Sequence, residues 1–293
     1  MNPYQPFASS FARLVAEGKS LPLGHIPPHG KTAPAPNAPN APTALIFSPH
    51  PDDECIIGAL PLRLQREAGV RVINVAVTQG SNKPRQQARW EELTNACAWL
   101  GFALEQTAPR GLENITAKTR AQDPQHWAAA VKIIAASLTK NQPRAIFFPH
   151  ELDWNSTHIG THFVVMDALK TLPPAFNTML VETEFWGQMA SPNLMVESST
   201  EDVADLIAAL SFHIEEVRRN PFHLRLPAWL IDNVRRGAEI VGGQGGPAPD
   251  FMFATLYRVR LWKNVRLEEA YPGGKQLGVR DFPGSIFGWP RKA

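Results

Sequence analysis

Short apolar runs that alternate with helical patterns constrain the fold of this chain more than any other feature of its sequence. The apolar runs predict buried strands at 44–48, 71–77, 102–105, 145–149 and 178–185. Helical patterns lie between them, near 54–68, 87–100, 126–139 and 157–171. Strands that alternate with helices predict an α/β fold, a mostly parallel sheet with helices on both faces. In such a sheet, functional sites form beyond the carboxyl ends of the strands.

The pattern changes past residue 200. Helices are predicted over 202–219 and 226–241, and a strand over 251–262. These elements form a C-terminal helical and strand extension from about residue 215. The glycine-rich stretch 242–246 follows a helix and precedes a strand, so it is not a dinucleotide fingerprint. A mobile loop is the favoured interpretation, with a ligand lid as the alternative.

The N-terminal segment has a different composition. Residues 27–43 are rich in Pro, Ala and Asn, cannot bury a core and are predicted to be a linker. A short helix is predicted within 7–18, and whether it packs on the body or mediates association stays open. The predicted organisation is therefore an arm over 1–43 and a domain over 44–293.

Composition excludes several classes of protein. The 29 basic and 27 acidic residues give a net charge of +2 without long runs of one sign, which does not favour nucleic acid. No apolar run approaches the roughly 20 residues of a membrane span, and the N-terminus lacks the features of a secretory signal. Cys55 and Cys97 lie in apolar contexts and are predicted to be reduced core thiols. We expect a cytoplasmic protein, either a monomer or a homo-oligomer.

The chemistry-bearing segment His50-Pro51-Asp52-Asp53-Glu54 follows the first strand directly. A solvated turn that caps the next helix would explain one acid well and three poorly. Adjacent carboxylates raise one another's pKa unless a cation offsets them. A divalent metal bound by His50 and one of the acids removes this difficulty, and zinc suits a mixed nitrogen and oxygen site.

A second polar cluster, His150 to His162, follows the strand at 145–149 and lies at the same sheet edge if the strands are parallel. Thr157 indicates a helix start, which places His158 in the first turn and His162 one turn later on the same face. Both histidines could bind a metal. The alternative, a polar helix residue without a ligand role, applies more to His162 than to His158.

At these residues the sequence resembles the PIG-L or LmbE-like deacetylases, over roughly 44–215. The matching features are PHPDDE after the first strand and a later D-x-x-x-x-H at a helix start, here Asp153 to His158. The resemblance implies a Rossmann-like α/β fold and hydrolysis of N-acetyl groups on glucosamine-type sugars. It also implies that His50, Asp53 and His158 bind one zinc ion per chain and that Asp52 is the general base.

One position departs from the family, which often has a histidine where this sequence has Asn155. An amide can donate a hydrogen bond to a developing oxyanion but cannot supply a proton. Either Asp52 returns its proton to the leaving amine, or His150 or His162 assists. Asp52 and Asn155 are therefore the predicted catalytic residues, with His150 and His162 as candidates for substrate contact.

Arg89 matches an R-x-x-E-L segment of the family, which implies contact with substrate hydroxyls. The alternative is an ion pair with Glu91 or Glu92 on its own helix. His213 lies in a segment that resembles a late family helix, but acids at 215–216 replace the family's Ser-Gln, so no role is predicted for it. A solvated surface is favoured over contact with a sugar phosphate for Arg218, Arg219, Arg225, Arg235 and Arg236.

The sequence thus predicts a zinc-dependent hydrolase that removes an acetyl group from an N-acetylated amino sugar of the N-acetylglucosamine type, with or without a phosphate. The segment from about residue 215 also resembles deacetylase-like domains that accompany glucosamine-6-phosphate deaminase-like proteins, which favours an amino sugar. One alternative is a catalytically impaired sugar-binding or regulatory domain, which Asn155 would favour. The other is a metal-dependent phosphoesterase, because carboxylate-rich sites also serve phosphoryl transfer.

Overall fold

The computed structural model describes residues 2–24 and 41–291. Most of the predicted linker, residues 27–40, lies outside the described residues. The division of the chain into arm and domain stays a prediction.

Strand pairing sets the architecture. Within the described ranges the strands are β1 (Thr43–Ser48), β2 (Arg71–Ala76), β3 (Ala103–Gln106), β4 (Ala145–Pro149), β5 (Thr178–Thr183), β6 (Leu194–Glu197), β7 (Ala254–Lys263), β8 (Arg266–Glu269) and β9 (Lys275–Leu277). They form one sheet in the order β3-β2-β1-β4-β5-β7-β6-β9, with β8 on β7. The first five strands in that order are parallel, and β7 runs antiparallel to β5. The prediction of a mostly parallel sheet is confirmed.

Helices cover both faces of this sheet. The helices of the described residues are α1 (Gln5–Gly18), α2 (Asp53–Ile56), α3 (Leu60–Ala68), α4 (Gln86–Leu100), α5 (Ala117–Gln122), α6 (Pro124–Asn141), α7 (Ser156–Lys170), α8 (Thr200–Ser211), α9 (Ile214–Arg219) and α10 (Leu226–Ile240). Along β1, Ala44 and Ile46 pack into one core, and Leu45 and Phe47 pack into the other. Burial on both faces explains why the parallel strands are continuous apolar runs.

Two further predictions from the sequence, for the cysteines and for the N-terminal helix, are confirmed. Cys55 and Cys97 are buried free thiols, as predicted. The helix predicted within 7–18 forms as α1, and no residue of it is buried. Among residues 2–24 and 41–291, no helix is both long and apolar enough to cross a bilayer.

Two segments predicted as single helices each form two helices in the structure. The pattern at 54–68 forms α2 and α3, separated at Gly58, which has a φ of +82°. A Cβ added at Gly58 would lie 2.0 Å from Oγ1 of Thr255, a residue at the start of β7. The pattern at 202–219 forms α8 and α9, separated at Phe212 and His213.

The C-terminal segment is not a peripheral addition to this sheet. β7 lies between β5 and β6, so residues far along the chain complete the sheet that the first strands begin. The helix α8 contacts α4, its neighbour α9, and α2, the helix that follows β1. This packing brings residues beyond 200 to the edge of the sheet where the chemistry-bearing segments lie.

Candidate metal centre

The carboxyl ends of β1 and β4 place two polar segments side by side. These strands are parallel neighbours, with Ile46 opposite Phe147. His50 lies two residues beyond β1, and Asp53 begins α2. Beyond β4, His158 lies in the first turn of α7, which starts at Ser156, one residue earlier than predicted.

Three potential ligand atoms from these segments form a compact triangle. His50 Nδ1 lies 3.2 Å from His158 Nε2, and Asp53 Oδ2 lies 3.5 Å from the first and 3.3 Å from the second. A tetrahedral zinc ion at about 2.0–2.1 Å from each ligand sets neighbouring ligand atoms about 3.3–3.4 Å apart. The triangle therefore fits three corners of a tetrahedron, which leaves the fourth for water or substrate. Two imidazoles and one carboxylate suit zinc and other divalent transition metals.

Asp153 holds the ring of His158 from behind. Its Oδ1 lies 3.4 Å from His158 Nδ1, an ion-pair distance without hydrogen-bond geometry. The same carboxylate accepts backbone N–H bonds from Asn155, at 2.9 Å, and from Trp186 and Gly187, at 3.1 Å each. A fixed carboxylate behind a histidine orients the ring and strengthens it as a ligand.

The titration of the triangle reflects its mutual contacts. Burial lowers the pKa of His158, but the carboxylates of Asp53 and Asp153 raise it to about 10. Burial raises the pKa of Asp53, but His158 and His50 hold it well below its usual range. Burial lowers the pKa of His50. The two carboxylates therefore favour the protonated form of His158 in the metal-free chain, and a metal that binds there would displace this proton.

The three consecutive acids have three different environments. Asp53 belongs to the triangle, whereas Asp52 lines a cavity beside it. Burial and the charge of Asp53 raise the pKa of Asp52 well above its usual range. Glu54 is fully buried and accepts a bond of 2.8 Å from Nε2 of His213. Sequence reasoning predicted no role for His213, because the acids at 215–216 interrupt the family segment in which it lies.

Asn155 is the N-cap of α7. Its Oδ1 accepts the N–H of Thr157 at 2.8 Å, and the residue lines the same cavity as Asp52. Because the cap uses the acceptor oxygen, the Nδ2 donors remain for another partner. This arrangement is compatible with the predicted contact to an oxyanion.

His150 and His162 lie away from the cavity that Asp52 lines. The buried His150 makes a bond of 2.8 Å from Nε2 to the carbonyl of Gly187. His162 Nδ1 bonds the Pro149 carbonyl at 3.0 Å and lies 3.5 Å from Glu182. His162 lies one turn further along α7 than His158, and its contacts are with residues of β4 and β5. The structure therefore does not support the substrate contacts predicted for either residue.

A cavity of about 790 Å³ opens over the triangle. Arg89 lines it and donates from Nη2 to the carbonyl of Pro51 at 2.9 Å. The alternative ion pairs of Arg89 do not form, since Glu91 accepts from Gln87 and Glu92 accepts from Arg85.

Further lining comes from residues for which the sequence analysis predicted no functional role. Trp186 follows β5 and is 45% exposed, while Arg219 and its ion-pair partner Glu216 come from α9. Of the arginines predicted to be solvated, Arg219 lines the cavity, and Arg236 is buried against Glu184. These positions depend on tertiary packing, which explains why the pattern of the sequence missed them.

Residues 45–169, which contain all three members of the triangle, match the family described as PIG-L: GlcNAc-PI de-N-acetylase. No curated protein sequence matches the chain.

Among solved structures, the fold resembles an N,N'-diacetylchitobiose deacetylase from Pyrococcus horikoshii, at 15% identity and a TM-score of 0.51, over 88% of this chain and 94% of that chain. It also resembles a deacetylase of teicoplanin biosynthesis, at 14% identity and a TM-score of 0.51, over 75% of this chain and 97% of that chain. A third similar structure is the 4-carboxy-2-hydroxymuconate hydratase from Pseudomonas putida, at 14% identity and a TM-score of 0.55, over 74% and 95% of the two chains. At these identities the likeness shows the fold.

Replacing His158 with alanine tests the triangle. The His158→Ala variant removes one of three ligands and opens a buried space beside Asp53, so we expect it to lose stoichiometric metal. His162→Ala is the matched control, because it removes a histidine from the same helix without touching the triangle. Elemental analysis of both purified variants gives the measurement. A full equivalent of metal in His158→Ala would show that the triangle is assigned wrongly.

Proposed function

We propose that this protein is a zinc-dependent hydrolase that removes the acetyl group from an N-acetylated amino sugar, as the match of residues 45–169 to the PIG-L family favours. The observation that carries the proposal is the position of Asp52. Its carboxylate lines the cavity directly beside a triangle of ligand atoms that fits a tetrahedral metal, without belonging to that triangle. A base beside an open metal corner is the arrangement that amide hydrolysis by water requires.

When bound, zinc would polarise the acetyl carbonyl and lower the pKa of a water molecule. Asp52 accepts a proton from the water whose oxygen bonds to the carbonyl carbon. Burial and the charge of Asp53 raise the pKa of Asp52 toward neutral pH. A general base is most effective when its pKa lies near the pH of the reaction. Asn155 Nδ2 donates a hydrogen bond to the developing oxyanion. The C–N bond then breaks, Asp52 returns the proton to the amine nitrogen, and acetate leaves.

The cavity suits a sugar rather than an apolar substrate. It is lined by charged and amide side chains together with one large aromatic ring, that of Trp186. An aromatic face beside convergent polar groups is the usual composition of a site for a small polar ligand. The guanidinium group of Arg89, a residue that lines the cavity, can donate to a substrate oxygen.

The fold by itself does not choose the reaction, because one similar structure is a hydratase. Two-metal phosphoesterases need a second ion about 3.5–4 Å from the first. Among residues 2–24 and 41–291, the other two clusters of potential ligands, around His213 and around His162, do not line the larger cavity. We therefore favour the deacetylase over the phosphoesterase.

A product screen tests the proposal. Zinc-loaded protein is incubated with N-acetylated hexosamines, with and without a phosphate, and acetate, free amine and inorganic phosphate are measured. Stoichiometric acetate and amine are expected. Phosphate release would instead support the phosphoesterase, and tight sugar binding without any product would support the impaired binding domain.

Replacing Asp52 with asparagine tests the base. Asparagine tolerates the positive φ of this position, so the Asp52→Asn backbone should persist. The variant should keep its zinc, since all three ligands remain, and lose about 10²–10⁴-fold in kcat, since a positioned general base contributes that much. The loss should fall on kcat more than on KM. A variant without zinc would make Asp52 a ligand, and a fully active variant would remove it from the mechanism.

A pair of tryptophans tests the sugar side of the cavity. Trp186→Ala should raise KM by about tenfold with little change in kcat, because an aromatic contact of about 1.4 kcal/mol is lost from bound substrate. Trp154, which is 84% exposed and does not line the cavity, provides the control Trp154→Ala. Steady-state kinetics on one N-acetylated sugar compare the two. Equal effects of both substitutions would contradict the role given to Trp186.

A further inference from the structure

The backbone of Asp52 has an unusual conformation. Its φ is +114° and its ψ is −26°, in a backbone region that residues other than glycine rarely adopt. Such a conformation costs free energy and persists only where neighbouring groups hold it. The turn separates two adjacent acids, so that Asp53 joins the triangle while Asp52 lines the cavity. Whatever holds this turn also sets the position of the proposed base.

Glu54 supplies a side-chain contact to the backbone of the strained residue itself, whereas the other side-chain bonds of the turn go to His50 and Pro51. Its Oε2 accepts the backbone N–H of Asp52 at 3.0 Å. Its other oxygen, Oε1, accepts from Nε2 of His213 at 2.8 Å and from Sγ of Cys55 at 3.1 Å. Both oxygens of the carboxylate are therefore engaged, one by the strained turn and one mainly by a histidine that lies 159 positions along the chain.

Burial makes this arrangement depend on His213. The side chains of Glu54 and His213 are both fully buried. A buried carboxylate is costly unless hydrogen-bond donors and an opposite charge offset it. Without His213, Oε1 would keep only the weak thiol donor of Cys55, and the rotamer that presents Oε2 to Asp52 would no longer be fixed.

His213 also lies between the turn that contains Asp52 and the helix α9. It occupies the break between α8 and α9 and precedes the first residue of α9, Ile214. α9 carries Glu215, Glu216 and Arg219, which line the larger cavity. One histidine therefore connects the turn at Asp52 to a helix that lines the same cavity.

We propose that His213 is a positioning residue for the reaction, which acts through Glu54 to hold Asp52 at the cavity. The inference rests on the proposed function, because it assigns a task relative to the proposed base. It explains why a fully buried histidine and glutamate pair lies directly behind the site. It also gives a role to the third acid of the His50–Glu54 segment, which neither binds the metal nor reaches the cavity.

Variants of His213 test the proposal by removing or keeping the side-chain N–H that donates to Glu54. His213→Leu removes the donor and keeps an apolar volume, whereas His213→Gln retains a side-chain N–H that can reach Glu54. We expect His213→Leu to lose at least about tenfold in kcat with KM changed little, and His213→Gln to stay within about threefold of the wild type. His162→Leu is the matched control, because it removes another buried histidine beside a buried glutamate, Glu182, away from Asp52.

A double-variant comparison separates positioning from general destabilisation. If His213 acts through Asp52, then adding His213→Leu to Asp52→Asn should lower the residual rate by no more than about threefold, since the base is already lost. Multiplicative losses would overturn the proposal. So would an unchanged kcat in His213→Leu, or a loss confined to KM. If His213→Leu does not fold, then His213→Asn, whose amide is too short to reach Glu54, replaces it against His213→Gln.

A measurement without turnover distinguishes this proposal from the proposed function. Amide hydrogen exchange at Asp52, followed by NMR in the zinc-loaded protein, reports the bond to Glu54 directly. Exchange at least about tenfold faster in His213→Leu, with protection kept in His213→Gln and His162→Leu, is the expected result. Unchanged protection would overturn the role of His213 even if the protein deacetylates sugars. Wild-type protein that releases no acetate would overturn the proposed function, and hydrogen exchange would still decide whether His213 holds the turn.

Discussion

Hydrogen bonds between β1 and β4 run in parallel register from Ala44 opposite Ala145 to Ile46 opposite Phe147, and the geometry of the site follows from that register. Because both strands end at the same edge, the segments after them emerge side by side. A shift of one residue would turn every side chain of a strand to the opposite face. Ala44 and Ile46 belong to one core and Leu45 to the other, so such a shift would disrupt both. The packing of the two cores therefore maintains the distance of 3.2 Å between His50 Nδ1 and His158 Nε2.

Three consecutive carboxylates can share one turn because each has a different compensation. Asp53 is offset by two histidines within 3.5 Å, and Glu54 is offset by His213. Asp52 makes no ion pair within the described residues, and burial and the charge of Asp53 raise its pKa more than the charges of His213 and Arg89 lower it. Neighbouring acids whose pKa values are driven apart can take different chemical roles. The strained φ of Asp52 is the cost of separating the two carboxylates in space as well as in charge.

Local sequence patterns were sufficient for the parallel strands and for the segments that approach the site, since each strand is an apolar run followed by a motif. They were insufficient wherever a distant segment decides the outcome. At the break between α2 and α3, Gly58 lies so close to Thr255 that a Cβ would clash, and Thr255 reaches this position only through β7. His162 fits helical spacing as well as His158 does, but the sheet edge beneath α7 determines which of them reaches the triangle. The strands β8 and β9 consist almost entirely of exposed residues, so neither shows the apolar run that predicts a buried strand.

Asn155 gives the site a chemistry that its position in the helix enforces. As the N-cap of α7 it must present an acceptor to Thr157, and its Oδ1 does so at 2.8 Å. That bond fixes the amide and leaves Nδ2 as its free end, so the residue can donate to an oxyanion but can neither accept nor deliver a catalytic proton. His150 and His162 have protein partners away from the cavity and cannot assist. In the proposed reaction, therefore, Asp52 alone takes the proton from water and returns it to the amine.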